Sequence, residues 1–176
     1  MSDLYDKIVS ERGSLERLVA RIPGFRGYQD SQARRKADRM LRDHIAAQLQ
    51  ERVQAFTRIE KKILDKGGLA HMSRTREVKT KLQSFVDRVK TAAPGYRGLW
   101  SSVKIGAEEL ERIYSFDEAQ IRYADRLSAA LNDLDKAVGP EMNVDPALDA
   151  LYAIAVEAHQ AFSLREDVLT NLDKSL

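Results

Sequence analysis

Apolar positions recur at helical spacing almost from one end of the chain to the other. Leu4, Ile8, Leu15, Leu18 and Ile22 share a stripe, which predicts a first helix from Ser2 or Asp3 to about Arg21, interrupted at Gly13. Pro23 ends it, because the residue before a proline is driven out of the α region. The next stripe is Leu41, Ile45, Leu49, Val53, Phe56, Ile59 and Ile63, and it predicts a helix capped by Asp30 or Ser31 and closed by Gly67-Gly68. At about 1.5 Å per residue, roughly 35 residues would reach about 50 Å. A third helix is predicted from about Ser73 to Ala92, burying Val78, Leu82, Phe85, Val86, Val89 and Ala93 before Pro94 stops it.

The fourth stripe starts near Gly106 and runs through Leu110, Ile113, Asp117, Ile121, Ala124, Leu127, Leu131, Leu134 and Val138 to Gly139-Pro140. Glu108 and Glu109 fall in a first turn that favours acids. The fifth opens on Asp145-Pro146, a cap followed by proline at the first helical position. It continues through Leu148, Leu151, Ala155, Ala158, Phe162, Leu169 and Leu172. No segment alternates in the manner of a strand bounded by hairpin turns. The pattern therefore predicts an all-α protein, one helical domain over 1-176 built as an elongated antiparallel bundle of about five helices.

One stretch occurs twice. Pro23-Gly24-Phe25-Arg26-Gly27-Tyr28 returns 71 positions later as Pro94-Gly95-Tyr96-Arg97-Gly98-Leu99. Pro-Gly suits the central positions of a type II turn, with glycine supplying the positive φ. Pro23, Gly24, Phe25 and Gly27, with Pro94, Gly95, Tyr96 and Gly98, read first as a rigid connector pinned by aromatics. The functional alternative is an anion site of backbone amides with Arg26 or Arg97. Ala37-Asp38-Arg39-Met40 is echoed by Ala124-Asp125-Arg126-Leu127, 87 positions on, which leaves 16 extra residues in the second unit. Together these predict a duplicated helical hairpin with units at approximately 1-66 and 73-138 and a C-terminal helix over 145-172.

The PGFRGY turn before an Arg-rich helix, and the later run Ala93-PGYRGLW with Val103-Lys104-Ile105, Glu108-Glu109-Leu110, Ile113-Tyr114 and Phe116-Asp117, resemble an uncharacterised bacterial all-helical family. That family carries the same turn in two places. The resemblance covers about Leu15 to Val138; it implies the helical fold and brings no activity, cofactor or catalytic residue.

Composition narrows the function classes. Hydrophobic residues make up 43% and charged residues 32% of 176, enough to bury a core without a disulfide or metal staple. The absence of cysteine excludes disulfides, zinc–thiolate sites, iron–sulfur clusters and cysteine nucleophiles, and it fits a cytoplasmic location. The N-terminal stretch alternates charged and apolar residues, unlike a signal peptide. The longest apolar run, Ala150 to Val156, is far below the roughly 20 residues that span a bilayer. The expectation is a soluble protein, or one peripheral to an anionic membrane.

The net charge of +2 hides a polarity. Between Ala20 and Lys104 there are 20 Lys and Arg against 8 Asp and Glu; between Ile105 and Leu176 there are 6 against 15. Basic helices packed on acidic ones within one molecule explain this, and so does an anionic partner for the front part.

Candidate chemistry is thin. His44, His71 and His159 complete neither a Glu-x-x-His pair nor a His-Glu-x-x-His motif. No serine lies in a Gly-x-Ser-x-Gly elbow, and Asp133/Asp135 and Glu166/Asp167 sit on solvated surface. Asp117 stands out, since a carboxylate in an apolar stripe requires a partner; Arg26 and Arg97 are the candidates. A small-molecule bundle would need a cavity beneath Trp100, Tyr114 and Tyr123. The remaining constellation is the basic face of the second helix, where Arg34, Arg35, Arg39, Arg42, Lys61 and Lys62, with Arg26 and Arg97, are candidate anion or partner contacts. Interspersed acids such as Asp38, four residues before Arg42, give it the look of a salt-bridged exposed helix. The reading that results is a non-enzymatic, partner-binding or self-assembling adaptor without cofactor or metal. The alternative is a nucleic-acid or ribosome-associated protein binding through the basic helix over 31-66.

Overall fold

The computed structural model describes residues 3–30, 32–92 and 105–174. Among them the chain forms six α-helices: α1 (Asp3–Val9), α2 (Ser14–Arg21), α3 (Arg34–Asp65), α4 (Met72–Thr91), α5 (Ala107–Ala137) and α6 (Asp145–Lys174). A short 3-10 turn, Leu69–His71, links α3 to α4. The all-α bundle expected from the stripes is what the chain builds. The second PGYRGL turn, with Arg97, Trp100, Ala93 and the proposed Ser31 cap, lies outside the described residues.

The first predicted helix is two helices. Gly13 adopts φ 70°, in the left-handed region, so the helix cannot pass through it and restarts at Ser14. Neither of the two later caps acts as expected. Asp30 accepts a hydrogen bond from the Gln32 amide at 3.0 Å, while α3 starts at Arg34 with Ala33 as its cap residue. The last helix begins at Asp145 itself, and the Asp145 carboxylate faces His71 Nδ1 at 2.9 Å.

α3–α4 and α5–α6 are two antiparallel hairpins, with α3 packed on α5 and α4 on α6. Cross-hairpin bonds climb both helices in the same direction. Arg52 donates to the Ala124 carbonyl, Lys62 reaches Asp135 at 2.7 Å and Lys66 reaches the Val138 carbonyl at 2.9 Å. Thus α3 and α5 run parallel. Arg74–Asp149 and Arg88–Glu166 show the same for α4 and α6.

The structural recurrence is the hairpin. α3 and α4 start at Arg34 and Met72; α5 and α6 start at Ala107 and Asp145, 73 residues later in each case. Buried Thr75, Val78, Leu82, Phe85 and Val89 of α4 are matched at that spacing by buried Leu148, Leu151, Ala155, Ala158 and Phe162 of α6. This groups α3–α4 with α5–α6, a partition that differs from units at 1-66 and 73-138. The Ala-Asp-Arg echo does not mark equivalent environments either: Asp38 is buried, whereas Asp125 is exposed and pairs with Arg21 at 2.8 Å.

The middle of α5 has cover on every side. α3 and α6 take two faces, and α1 and α2 lie over the rest. As a result all residues from Ile113 to Ile121 are buried, polar ones included. That burial creates the site described next.

A buried ion cluster as the candidate functional site

The cluster begins with the turn before α3. The Phe25 amide donates to the Ile22 carbonyl at 3.1 Å, and Gly24 holds φ 79°, the type II geometry the sequence predicts. Gly27, at φ 85°, lies so close to α5 that a Cβ there would sit 2.5 Å from the Tyr114 hydroxyl. That close approach lets the Tyr28 amide donate to Tyr114 Oη at 2.8 Å, with the two rings stacked 5.4 Å apart. Phe25 packs edge-on against Tyr28 at 5.6 Å. Glycine is required here for two reasons at once, positive φ and contact.

Tyr28 carries the turn into the core. Its hydroxyl donates to Asp117 Oδ2 at 2.7 Å, and its carbonyl accepts from Arg34 Nε at 2.7 Å. The other Asp117 oxygen accepts from Arg165 Nε at 2.5 Å. Arg165 Nη2 donates to Asp38 Oδ1 at 2.8 Å, and Arg42 Nε donates to Asp38 Oδ2 at 2.9 Å. Four parts of the chain therefore meet: the turn, α3, α5 and α6. No member is more than 7% exposed, and Arg165 and Asp117 are fully enclosed.

Burial sets the titration of the group. It raises Asp117 above the ordinary carboxylate range even against Arg165 and the Tyr28 hydroxyl. Burial also pushes Asp38 upward, but two guanidiniums, Arg165 and Arg42, outweigh it and hold Asp38 below its ordinary value. Tyr28 is driven well up by burial and by Asp117, so it stays a hydrogen-bond donor. Burial disfavours the Arg165 cation, yet Asp117 and Asp38 more than compensate and keep it charged. Its Nη1 finds no hydrogen-bond partner among the described residues, and the guanidinium lies 5.9 Å from the Phe162 ring.

Both Asp117 oxygens are occupied, and neither Asp117 nor Arg165 has exposed surface. The cluster is a clamp. Removing one member of such a set strands charge in the core, so the four parts are held in one relative position.

The Asp117 partner differs from expectation. Arg26 is exposed, and Arg165, from the last helix, takes the role. The sequence carries a signal for this: Arg165 lies three residues after Phe162 and four before Leu169, in register with that stripe. Asp38, three before Leu41, sits in register with its own stripe in the same way. A polar residue at a stripe position, found on three helices, marks a shared interior.

The other predicted contacts scatter. Arg34 and Arg42 are corrected from outer-face cations to cluster members, because the turn and α6 cover the start of α3. Arg35 and Arg39 are exposed, the latter 3.6 Å from Asp43. Lys61 pairs with Asp65 and Lys62 with Asp135. Part of the charge polarity is used inside the molecule, with Arg21–Asp125, Lys62–Asp135, Arg74–Asp149 and Arg88–Glu166 all joining the basic front to the acidic back.

Burial lowers His44 and His159, and no group of three or more metal-ligating side chains forms among the described residues. No helix among them is long and apolar enough to cross a membrane. The chain matches no protein-family model, no curated protein and no solved structure.

Proposed function

We propose that the protein is a non-enzymatic, cytoplasmic interaction module: a rigid helical bundle that binds a protein partner or a second copy of itself. The observation that carries this reading is the end of the α3–α4 hairpin. Large apolar side chains exposed among the described residues are Val19, Leu64 and Leu69, and the latter two, 45% and 72% exposed, flank the Gly67-Gly68 tip. Arg58 and Lys66, which have no carboxylate partner among the described residues, are exposed on the same stretch. An apolar point rimmed by cations suits an amphipathic, acidic partner surface.

Sedimentation velocity across a wide concentration range tests self-association. Wild-type protein should associate with rising concentration, and the Leu64→Ser/Leu69→Ser variant should remain monomeric. A wild-type protein that stays monomeric throughout removes self-association and leaves the heterologous partner.

Nucleic acid or an anionic membrane as partner of the basic helix has less support, because Arg34 and Arg42 are enclosed and Lys61 and Lys62 have carboxylate partners. A gel shift with mixed RNA and DNA at low salt separates the classes, since phosphate binding must weaken steeply as salt rises.

A further inference from the structure

Away from the ion cluster, α1 roofs a partly enclosed cavity of about 250 Å³ between α5 and α6. That is the volume of about eight waters, below the roughly 300–1,000 Å³ of sites for drug-sized ligands. Leu4, Ile8 and Ala119 give its lining apolar surface. Lys7, Arg122 and Arg126 bring cations to the same lining, with Glu157 as its carboxylate. Glu157 is already engaged, accepting from the Tyr123 hydroxyl at 2.8 Å and from Arg126 at 3.3 Å. Arg126 in turn lies 5.2 Å from the Tyr123 ring centre. Arg122 is held by Glu118 and Glu11.

Lys7 differs from these, because its ammonium has no ion-pair or hydrogen-bond partner among the described residues. The lining thus carries three cations and one carboxylate, and Lys7 is the cation among them without a partner. A lysine left without a carboxylate partner beside Leu4, Ile8 and Ala119 selects a short apolar body with a negative end.

We propose that this cavity is a binding site for a small organic carboxylate with a short apolar chain. Its carboxylate meets Lys7 and the Arg122 edge, and its chain lies against Leu4, Ile8 and Ala119. Because α1 supplies Leu4, Lys7 and Ile8, occupancy also fixes α1 on the bundle.

The probe is hexanoate, with hexylammonium as the same body bearing the opposite charge and inorganic phosphate as charge without a body. Titrated into full-length ¹⁵N-labelled protein, hexanoate should give saturable shifts at the Ala119, Tyr123 and Lys7 amides. Hexylammonium should give none, and phosphate should bind at least tenfold more weakly. Lys7→Gln, an exposed position without structural partners, should weaken hexanoate at least fivefold while leaving the thermal midpoint unchanged. Ala119→Leu, which enlarges an apolar residue of the lining, should weaken it independently. Absence of saturable shifts up to 10 mM hexanoate (on the order of a weak, millimolar Kd), equal shifts from hexylammonium, or unchanged affinity in both variants would each overturn the proposal.

Discussion

α3 and α5 are parallel neighbours of nearly equal length, 32 and 31 residues, and they bury themselves in opposite ways. From Ile45 onward α3 shows the ordinary arrangement, a stripe from Ile45 to Ile63 inward and a charged face outward. The middle of α5 has no outward face, and Tyr114, Ser115, Asp117, Glu118 and Gln120 are enclosed together with its apolar residues. A helix with one dry face is stabilised by area alone. One with charged groups sealed on all sides needs a specific partner for each, and for Asp117 and Glu118 those come from distant segments: Tyr28 from the turn, Arg165 from α6 and Arg17 from α2. Indifferent packing suffices around most of α3, whereas α5 demands one arrangement of its neighbours.

The largest test of this contrast is Arg165→Met. It leaves Asp38 and Asp117 facing each other in the core without their shared cation, and should cost about 3–5 kcal/mol in urea unfolding. Replacing the four charges together, as D38L/R42M/D117L/R165M, should recover a substantial part of that loss, because Arg42 then keeps no stranded charge after Asp38 is gone and an apolar core has nothing to desolvate. If the single variant costs no more than a surface substitution, the clamp is dispensable and the contrast fails.

Next in size is the turn that feeds the cluster. Gly27→Ala forces a side chain into positive φ and places its Cβ 2.5 Å from Tyr114 Oη. Strain of this kind costs about 1–3 kcal/mol before the clash is added. Gly67, at φ 85°, has nothing within 4 Å of its would-be Cβ, so Gly67→Ala isolates the backbone contribution alone. The difference between the two unfolding midpoints measures the contact with α5. Equal losses would mean that the turn is not pressed against the core.

This division also governs what the sequence makes legible. Helix positions follow from local spacing, and so does the type II geometry at Pro23-Gly24. The Gly13 break required knowing that φ turns positive there, where sequence shows only a glycine inside a plausible stripe. The ion cluster was legible by half: Asp117 declared itself as a carboxylate on an apolar face, while its partner lies 48 residues away on another helix. Spacing along one helix carries no information about which cation crosses the bundle. Arg34 and Arg42 failed for a related reason, because the face of α3 that looks outward by period is covered by chain from elsewhere.

Acidification gives a smaller, graded test. His44 on α3 and His159 on α6 are both lowered by burial, with Arg21 adding to the effect on His44 and Lys81 and Arg88 on His159. His44 Nε2 and His159 Nδ1 are enclosed without hydrogen-bond partners among the described residues. The unfolded chain therefore binds more protons than the native one below the ordinary histidine value of 6.5. Their contribution is complete above that pH and drains away as pH falls toward the lowered native values. Asp38, held low, extends the loss into more acid solution, while Asp117, held high, opposes it. A His44→Gln/His159→Gln variant should have a flatter stability profile between about pH 6.5 and 5. An unchanged slope would locate the acid sensitivity in the carboxylates.

The smallest effect belongs to the exposed pairs that join the hairpins. Lys62 and Asp135 keep 57% and 44% of their side-chain surface in water, so Lys62→Met should change stability by about 0–1 kcal/mol. The more telling measurement is its response to salt. At 1 M ionic strength the screening length falls to about 3 Å, which erases most of what such a pair contributes, so the Lys62→Met penalty should vanish. The Arg165→Met penalty should persist unchanged, because salt cannot enter a site where Arg165 and Asp117 have no exposed surface. Charge therefore acts in two ways in this molecule: at the surface it is an adjustable attraction between hairpins, and inside it fixes which parts of the chain must meet. A cluster penalty that shrank with salt as the surface one does would show that water and ions reach α5, and that its enclosure is weaker than its neighbours imply.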